Sequence, residues 1–300
     1  MICRKCGDNI VNNIPVSLLI VILFTVSAFC RFGERVDCGE VDNSEISEAS
    51  GIAASRVNKG VLWVHNDSGD KARVFALSQS AKNIGTFYLD GINARDCEDV
   101  AVGPGPEAGK TYVYLGDIGD NKAVYDVKMI YRFEEPVVDT AKAPGVYNVS
   151  KVDILRFKYN DGMRDAEALM VDPLTKDCYV ISKRELNVRV YRFAYPQDTA
   201  KVSTISYLDS LKNMSVIVAA DISPDGSEIL IKDYHEVYYW KKKPNESVIN
   251  AMGKKTTKLP YIKEMQGEGV CWAVDSKGYF TISEKRKKQP CHLYFYPRIP

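Results

Sequence analysis

Asp165-Ala-Glu-Ala-Leu-Met170, Tyr179-Val-Ile-Ser-Lys183 and Val190-Tyr-Arg-Phe193 follow one another in this chain and decide its fold. The first opens with two acids, the second ends in a polar turn, and the third is an aromatic strand signature. Four more copies of the triplet surround it. The first member recurs as Glu48-Ala-Ser-Gly51, Asp96-Cys-Glu-Asp99, Val218-Ala-Ala-Asp221 and Gln266-Gly-Glu-Gly269. The second recurs as Leu62-Trp-Val-His-Asn-Asp67, Tyr112-Val-Tyr-Leu-Gly-Asp117, Ile229-Leu-Ile-Lys-Asp233 and Phe280-Thr-Ile-Ser-Glu284. The third recurs as Val74-Phe-Ala-Leu77, Ile130-Tyr-Arg-Phe133, Val237-Tyr-Tyr-Trp240 and Leu293-Tyr-Phe-Tyr296. Anchor positions 51, 99, 168, 221 and 269 are spaced by 48, 69, 53 and 48 residues.

Strand-rich repeats of about 40–50 residues predict an all-β chain folded as a β-propeller. A fourth, outer strand fits Ile84–Leu89, Val152–Phe157 and Val202–Leu208 in the first three blades, and Leu259–Ile262 in the fourth. The fifth blade runs out of chain. Arg35–Asp42 is therefore expected to supply its outer strand, closing the ring and removing an exposed sheet edge. Five blades result, and the 69-residue spacing leaves room for a sixth.

Composition agrees. Three hundred residues, 45% hydrophobic and 26% charged, suit either two domains or one large all-β unit. Forty Lys+Arg against 39 Asp+Glu give a net charge of +1, which excludes a general nucleic-acid binder. Eighteen Tyr against three His disfavours a site built on several imidazoles.

Arg4 and Lys5 precede an apolar run from Ile14 to Phe29, and Val26 and Ala28 suit cleavage after Ala28. That is the layout of a secretory signal. Residues 1–28 are thus read as a signal peptide and 29–300 as one propeller domain of a secreted protein. The alternative is a retained single-pass anchor, although the run is short and holds Pro15, Ser17, Thr25 and Ser27. Scattered cysteines without C-x-x-C pairs in the exported part read as disulfides or buried thiols. Cys38 with Cys291 is the expected ring staple, and Cys97 with Cys178 the second bridge. Among the sequons, Asn148, Asn213 and Asn245 are glycan candidates, whereas Asn66 lies inside a dense motif.

Aligning the anchors gives the chemical signal. Three positions before them stand Glu48, Asp96, Asp165, Val218 and Gln266; one position before stand Ser50, Glu98, Glu167, Ala220 and Glu268. Residues two apart share a strand face, and the innermost strands line the channel. Carboxylates should therefore converge at one channel mouth, with Asp99 and Asp221 nearby. Such repulsion is relieved by a cation or by protons. Many oxygen ligands and almost no His favour Ca²⁺ or Mg²⁺. The competing role for these acids is to accept backbone N–H groups where blades meet. Asp67, Asp70, Asp117 and Asp120 read mainly as tight hairpin turns. Gly103-Pro-Gly-Pro-Glu-Ala-Gly-Lys110-Thr111 lacks the first glycine of a phosphate loop and precedes a strand, so it reads as a hairpin.

Trp63-Val-His-Asn-Asp-Ser-Gly-Asp70, Asp96-Cys-Glu-Asp-Val-Ala101, Gly116-Asp-Ile-Gly-Asp-Asn121 and Ile130-Tyr-Arg-Phe-Glu-Glu-Pro136 together resemble a largely uncharacterised family of secreted or periplasmic propellers. The resemblance spans about residues 46–296. The family carries Trp where Cys97 stands, implying a changed packing or disulfide role here. More distantly, the acidic channel is similar to phytase-like esterase and metal-dependent lactonase propellers, a likeness of architecture only.

Two functions fit. The first is a hydrolase whose cation polarises an ester, phosphoester or lactone of a small anionic substrate. Glu98, Glu167 and Glu268 would be its ligands, one nearby carboxylate its general base, and Lys183 or Arg184 would anchor the anion. His65 is a further candidate base, or a structural histidine. The second is a non-catalytic propeller for extracellular protein or glycan partners, favoured if the tyrosines are exposed. Neither reading involves nucleic acid, nor a membrane unless the amino-terminal segment is retained.

Overall fold

A computed structural model describes residues 31–286 and 289–299. The expected signal segment, Cys30, Lys287 and Lys288 lie outside them. After β1 (Arg31–Phe32) and β2 (Val36–Glu40) come five antiparallel meanders. The first is β3 (Ala49–Ala54), β4 (Val61–Asn66), β5 (Arg73–Ser78) and β6 (Asn83–Leu89). The second is β7 (Cys97–Pro104), β8 (Thr111–Asp117) and β9 (Lys128–Glu134); then β10 (Gly145–Val149) leaves it to cover the edge of β6, and β11 (Asp153–Tyr159) completes it. The third is β12 (Ala166–Val171), β13 (Cys178–Ser182), β14 (Val188–Phe193) and β15 (Ser203–Leu211), whose outer edge pairs in parallel with β11. The fourth is β16 (Ile217–Ile222), β17 (Glu228–Asp233), β18 (Val237–Lys241), a single helix turn α1 (Val248–Met252) and β19 (Thr257–Leu259). The last is β20 (Gly267–Trp272), β21 (Gly278–Ser283) and β22 (His292–Ile299).

The innermost strands β3, β7, β12, β16 and β20 pack in a cycle, with β20 returning to β3. The chain is a β-propeller. As expected, the segment after Arg35 closes it, because β2 pairs antiparallel with β22, Val36 opposite Phe295 and Glu40 opposite His292. The outer strand of the fourth meander ends earlier than expected, at Leu259. Pro260 has no N–H to continue the ladder.

Strands β3, β12, β16 and β20 are buried along their whole length and β7 up to its last residue, so apolar residues are continuous where a one-sided sheet would alternate. Both faces are covered by neighbouring meanders. Four of the junctions are clusters of mixed aliphatic and aromatic residues, for instance Trp63, Val74, Val100 and Leu115 between the first and second. Aromatics fill the junction of the last two, where Phe32 packs against Tyr239, Trp272 and Tyr279 at 6.5, 6.0 and 5.2 Å.

The expected disulfides are not formed. The five described cysteines are free thiols. Cys38 is the extra residue of a bulge in β2, and it is Val41 whose N–H meets the Cys291 carbonyl, at 2.9 Å. Cys38 is thus three residues out of register with its expected partner. Cys97 begins β7 at one end of the channel, whereas Cys178 begins β13 at the other, opposite Val171. Five residues of strand separate those levels, about 16 Å, and a disulfide tolerates roughly 7 Å between Cα atoms. Asn148, Asn213 and Asn245 are exposed; Asn66 is buried and bonded to the Glu45 carbonyl at 2.7 Å. Among the described residues, no helix is long and apolar enough to cross a membrane.

Candidate metal centre at the channel mouth

Every innermost strand carries a β-bulge in its first turn of pairing. Asn66 faces Ala49 but His65 faces Gly51, so Ser50 is the unpaired extra residue. The same skip isolates Glu98, Glu167, Val218 and Glu268. A bulge re-aims a side chain out of the alternating pattern. It is the bulge, then, and not strand alternation, that brings these glutamates to the mouth beside Asp96 and Asp165, which stand just before their strands. In the fourth meander the bulge falls on Val218, two residues from where the anchor alignment places it. Asp221 therefore lies deeper along the channel.

One residue past the last paired position of four of the second strands, Asp67, Lys183, Tyr234 and Glu284 also stand at the mouth, whereas β8 has the buried Ile118 there. Sequence reasoning missed Tyr234 and Glu284 and read Asp67 as a turn residue. Asp67 and Glu284 join the expected ligands in three sets of carboxylates, each with oxygens within 4.8 Å of one another. The sets are Asp67, Asp96 and Glu98; Glu98, Asp165 and Glu167; and Asp67, Glu268 and Glu284. Glu98 links the first two and Asp67 links the first to the third.

The sets differ in how far the protein already neutralises them. Glu167 is ion-paired with Lys183, and Asp165 with Arg184 at 2.6 Å. Asp165 also takes the Asp120 N–H at 2.7 Å. Glu268 accepts from the Tyr234 hydroxyl at 2.7 Å and from Ser50 at 3.4 Å, and Arg286 lies 2.7 Å from Glu284. In the first set only Asp67 accepts a hydrogen bond, from the Ser68 N–H at 2.5 Å. Gly119 makes room for this set: a Cβ there would overlap Glu98 Oε1 and Asp96 Oδ2 and stand 2.5 Å from Asp96 Cγ.

Burial and mutual repulsion raise five of these acids, Asp96, Glu98, Glu167, Glu268 and Glu284, above the ordinary carboxylate range. Burial, then Asp67 and Asp165, push Asp96 up to about 6. Burial and Glu268 push Glu284 to about 7. Burial lifts Glu167 to about 8 even against the Lys183 ammonium, and lifts Glu98, beside Glu167, well above the carboxylate range. Burial alone would lower Lys183, but Glu167 raises it, so that ammonium stays charged.

Other expected residues have different partners. Asp99 Oδ1 accepts from Val100 at 2.9 Å, and its Oδ2 from Leu169 at 2.9 Å and Ala220 at 3.3 Å, tying the second meander to the third and fourth. Asp221 accepts the Trp272 N–H at 2.8 Å. Both stand outside the three carboxylate sets, in the role of fixing neighbouring strands. His65 is fully buried; its Nδ1 lies 2.8 Å from the Asn66 carbonyl, and burial lowers it to about 4. It is a neutral imidazole wedged against Gly51 in the channel wall. Of the turn aspartates, Asp70 pairs with Arg73, Asp117 takes the Tyr131 hydroxyl at 2.7 Å and Asp120 pairs with the buried Lys128 at 2.7 Å. Lys183 and Arg184, the expected anion anchors, are both engaged by carboxylates.

No family model matches the chain, and no curated protein does, so neither comparison shows the family that its motifs resemble. Solved structures similar to it are propellers at low identity. They include a gluconolactonase from Xanthomonas campestris (8% identity, 88% of this chain and 89% of that one, TM-score 0.49). Another is the PQQ-bound aldose sugar dehydrogenase from Streptomyces coelicolor (9% identity, 88% and 98%, TM-score 0.45). A luciferin-regenerating enzyme matches at 10% identity over 84% of this chain and 92% of that one, TM-score 0.44.

Proposed function

We propose that the channel mouth binds a divalent cation, Ca²⁺ or Mg²⁺, and that the protein is an exported metal-dependent hydrolase of an ester, phosphoester or lactone. The observation carrying this reading is the Asp67, Asp96 and Glu98 set, where the side-chain carboxyl groups of Asp96 and Glu98 accept no hydrogen bond from any described residue. Glu98 is buried and Asp96 half-buried, and carboxylates withdrawn from water without donors are costly unless protonated or ligated. Hard oxygen donors suit Ca²⁺ or Mg²⁺. Asp67, Asp96 and Glu98 would hold the ion, which when bound supplies Lewis acidity. Glu268, oriented by Tyr234 and Ser50, is placed to take a proton from water. Lys183 keeps Glu167 in position and holds the far side of the mouth near neutrality.

The binding-module reading called for a tyrosine-rich surface. Among the tyrosines only Tyr125 and Tyr207 are exposed, at 46% and 39%, so nothing specific favours that reading. The test is calorimetry with CaCl₂ and MgCl₂ followed by turnover of phosphoester and lactone substrates with and without chelator. The reading expects one tight ion and chelator-sensitive turnover. Absence of any cation binding removes it.

A further inference from the structure

Beside the carboxylates, the loops after β17, after β19 and after β21 border an open cleft of about 580 Å³. Its lining includes Tyr234, His235, Lys263, Met265, Gln266 and Arg286. The charge here is opposite to that of the mouth. Lys263 and the His235 ring have no side-chain hydrogen bond or ion pair with any described residue. Arg286 meets Glu284 through one nitrogen, leaving most of its five donors unused. Glu264 also borders the cleft, but its carboxyl is buried, takes the Thr281 hydroxyl at 2.6 Å and faces the buried Lys232 ammonium. The cations are therefore not cancelled from below.

Two features join this cleft to the mouth. Tyr234 lines the cleft and donates to Glu268, and Arg286 lines it and pairs with Glu284. Between them stands Gln266, a non-glycine residue at φ +48°, whose carbonyl accepts the Glu284 N–H at 3.0 Å. Backbone strain of this kind persists where the surroundings enforce it, and it clusters at ligand sites. A volume of this size is typical of small-molecule pockets.

We propose that this cleft is the subsite for the oxyanion of the substrate, a carboxylate or phosphate held by Lys263, Arg286 and His235. It rests on the reading of the mouth as a cation site, and it takes over the anchoring role that Lys183 and Arg184 cannot fill. A small organic anion bound there lies beside the carboxylates, so its scissile group reaches the ion while its charge stays on the far loops.

The experiment titrates sodium phosphate and sodium acetate separately into chelator-treated and into Mg²⁺-loaded protein, following the methyl resonance of Met265. A saturable shift is expected with at least one oxyanion and not with NaCl at equal ionic strength. Phosphate alone assigns a phosphoester class, and acetate alone a carboxylate class. Binding should weaken at least tenfold in Lys263→Ala/His235→Gln, whose Mg²⁺ affinity by calorimetry stays at the wild-type value. No saturable shift, or equal oxyanion affinity in the double variant, overturns the subsite. If oxyanions bind as expected and Mg²⁺ and Ca²⁺ do not, the subsite stands and the cation reading falls.

Discussion

Gly119→Ala separates a metal site from a structural knot of acids. The added methyl occupies the space that Glu98 Oε1 and Asp96 Oδ2 now share. Both atoms are ends of side chains, so they swing aside and the backbone need not move. Gly119 is not at positive φ, so alanine itself is unstrained and removes some unfolded-state entropy, worth about 0.4–1 kcal/mol in favour of the fold. Ca²⁺ accepts oxygens only within a few tenths of an ångström of its preferred distance, and misplaced ligand geometry costs roughly 10–100-fold in affinity. At a Ca²⁺ concentration one hundred times the wild-type Kd, binding stabilises the wild type by about 2.7 kcal/mol. After a roughly thirtyfold loss the same concentration contributes only about 0.9 kcal/mol. Scanning calorimetry of both proteins in chelator and in Ca²⁺ reads this directly. The metal-free Tm should be equal or slightly higher in the variant, and the Ca²⁺-induced rise should shrink to about a third. A variant that keeps the full rise would refute the assignment of Asp96 and Glu98 as ligands.

Metal-free protein should lose stability as pH rises from about 5 to about 8, because the native acids Asp96, Glu284 and Glu167 titrate near 6, 7 and 8, above their unfolded values. In that window the native state binds more protons than the unfolded one, so the slope is negative. Saturating Ca²⁺ should flatten it, and a chelated Tm that is level or climbs over this range contradicts the electrostatic account. Asp99→Ala strands three backbone donors from three meanders and should cost about 3–5 kcal/mol in urea unfolding, while the folded fraction binds Ca²⁺ as the wild type does. Lost cation affinity in that variant would return Asp99 to the ligand set.

The strand triplets were legible because each is an apolar run buried on both faces, and the shortage of chain after Leu293-Tyr-Phe-Tyr296 pointed to the closing strand before Ala49. The acids at Glu98, Glu167 and Glu268 were legible as an aligned column. What aligned letters cannot convey is the bulge. Asp221 looked like the partner of Asp99, but pairing places Val218 at the bulge and sends Asp221 down the channel to Trp272. Asp67 and Glu284 were hidden because a residue just past a strand end looks like an ordinary turn. Their signal was available: with Lys183 and Tyr234 they hold one position relative to the strand, immediately after Asn66, Ser182, Asp233 and Ser283. The cysteines failed for a geometric reason, since spacing along the chain says nothing of height along the channel axis.

The fourth meander gives the mouth its polarity. It contributes Val218 and Tyr234 and, among the described residues, is the one meander that brings no carboxylate to the mouth, so the ring of negative charge is open on that side. Lys183 extends the break by neutralising Glu167 and donating to Tyr234 at 3.1 Å. Arg286 extends it from the other side by pairing with Glu284. Carboxyl groups with neither a cationic partner nor a side-chain donor are thus Asp67, Asp96 and Glu98, on the first two meanders. Unpaired positive charge lies at Lys263, between the fourth and the last. A ligand that is an oxyanion at one end and an electrophile at the other is oriented by that separation alone: reversing it would set its anion against the acids. The asymmetry of one repeat, the fourth, which brings no carboxylate to the mouth, turns a closed ring of repulsion into a site with a direction.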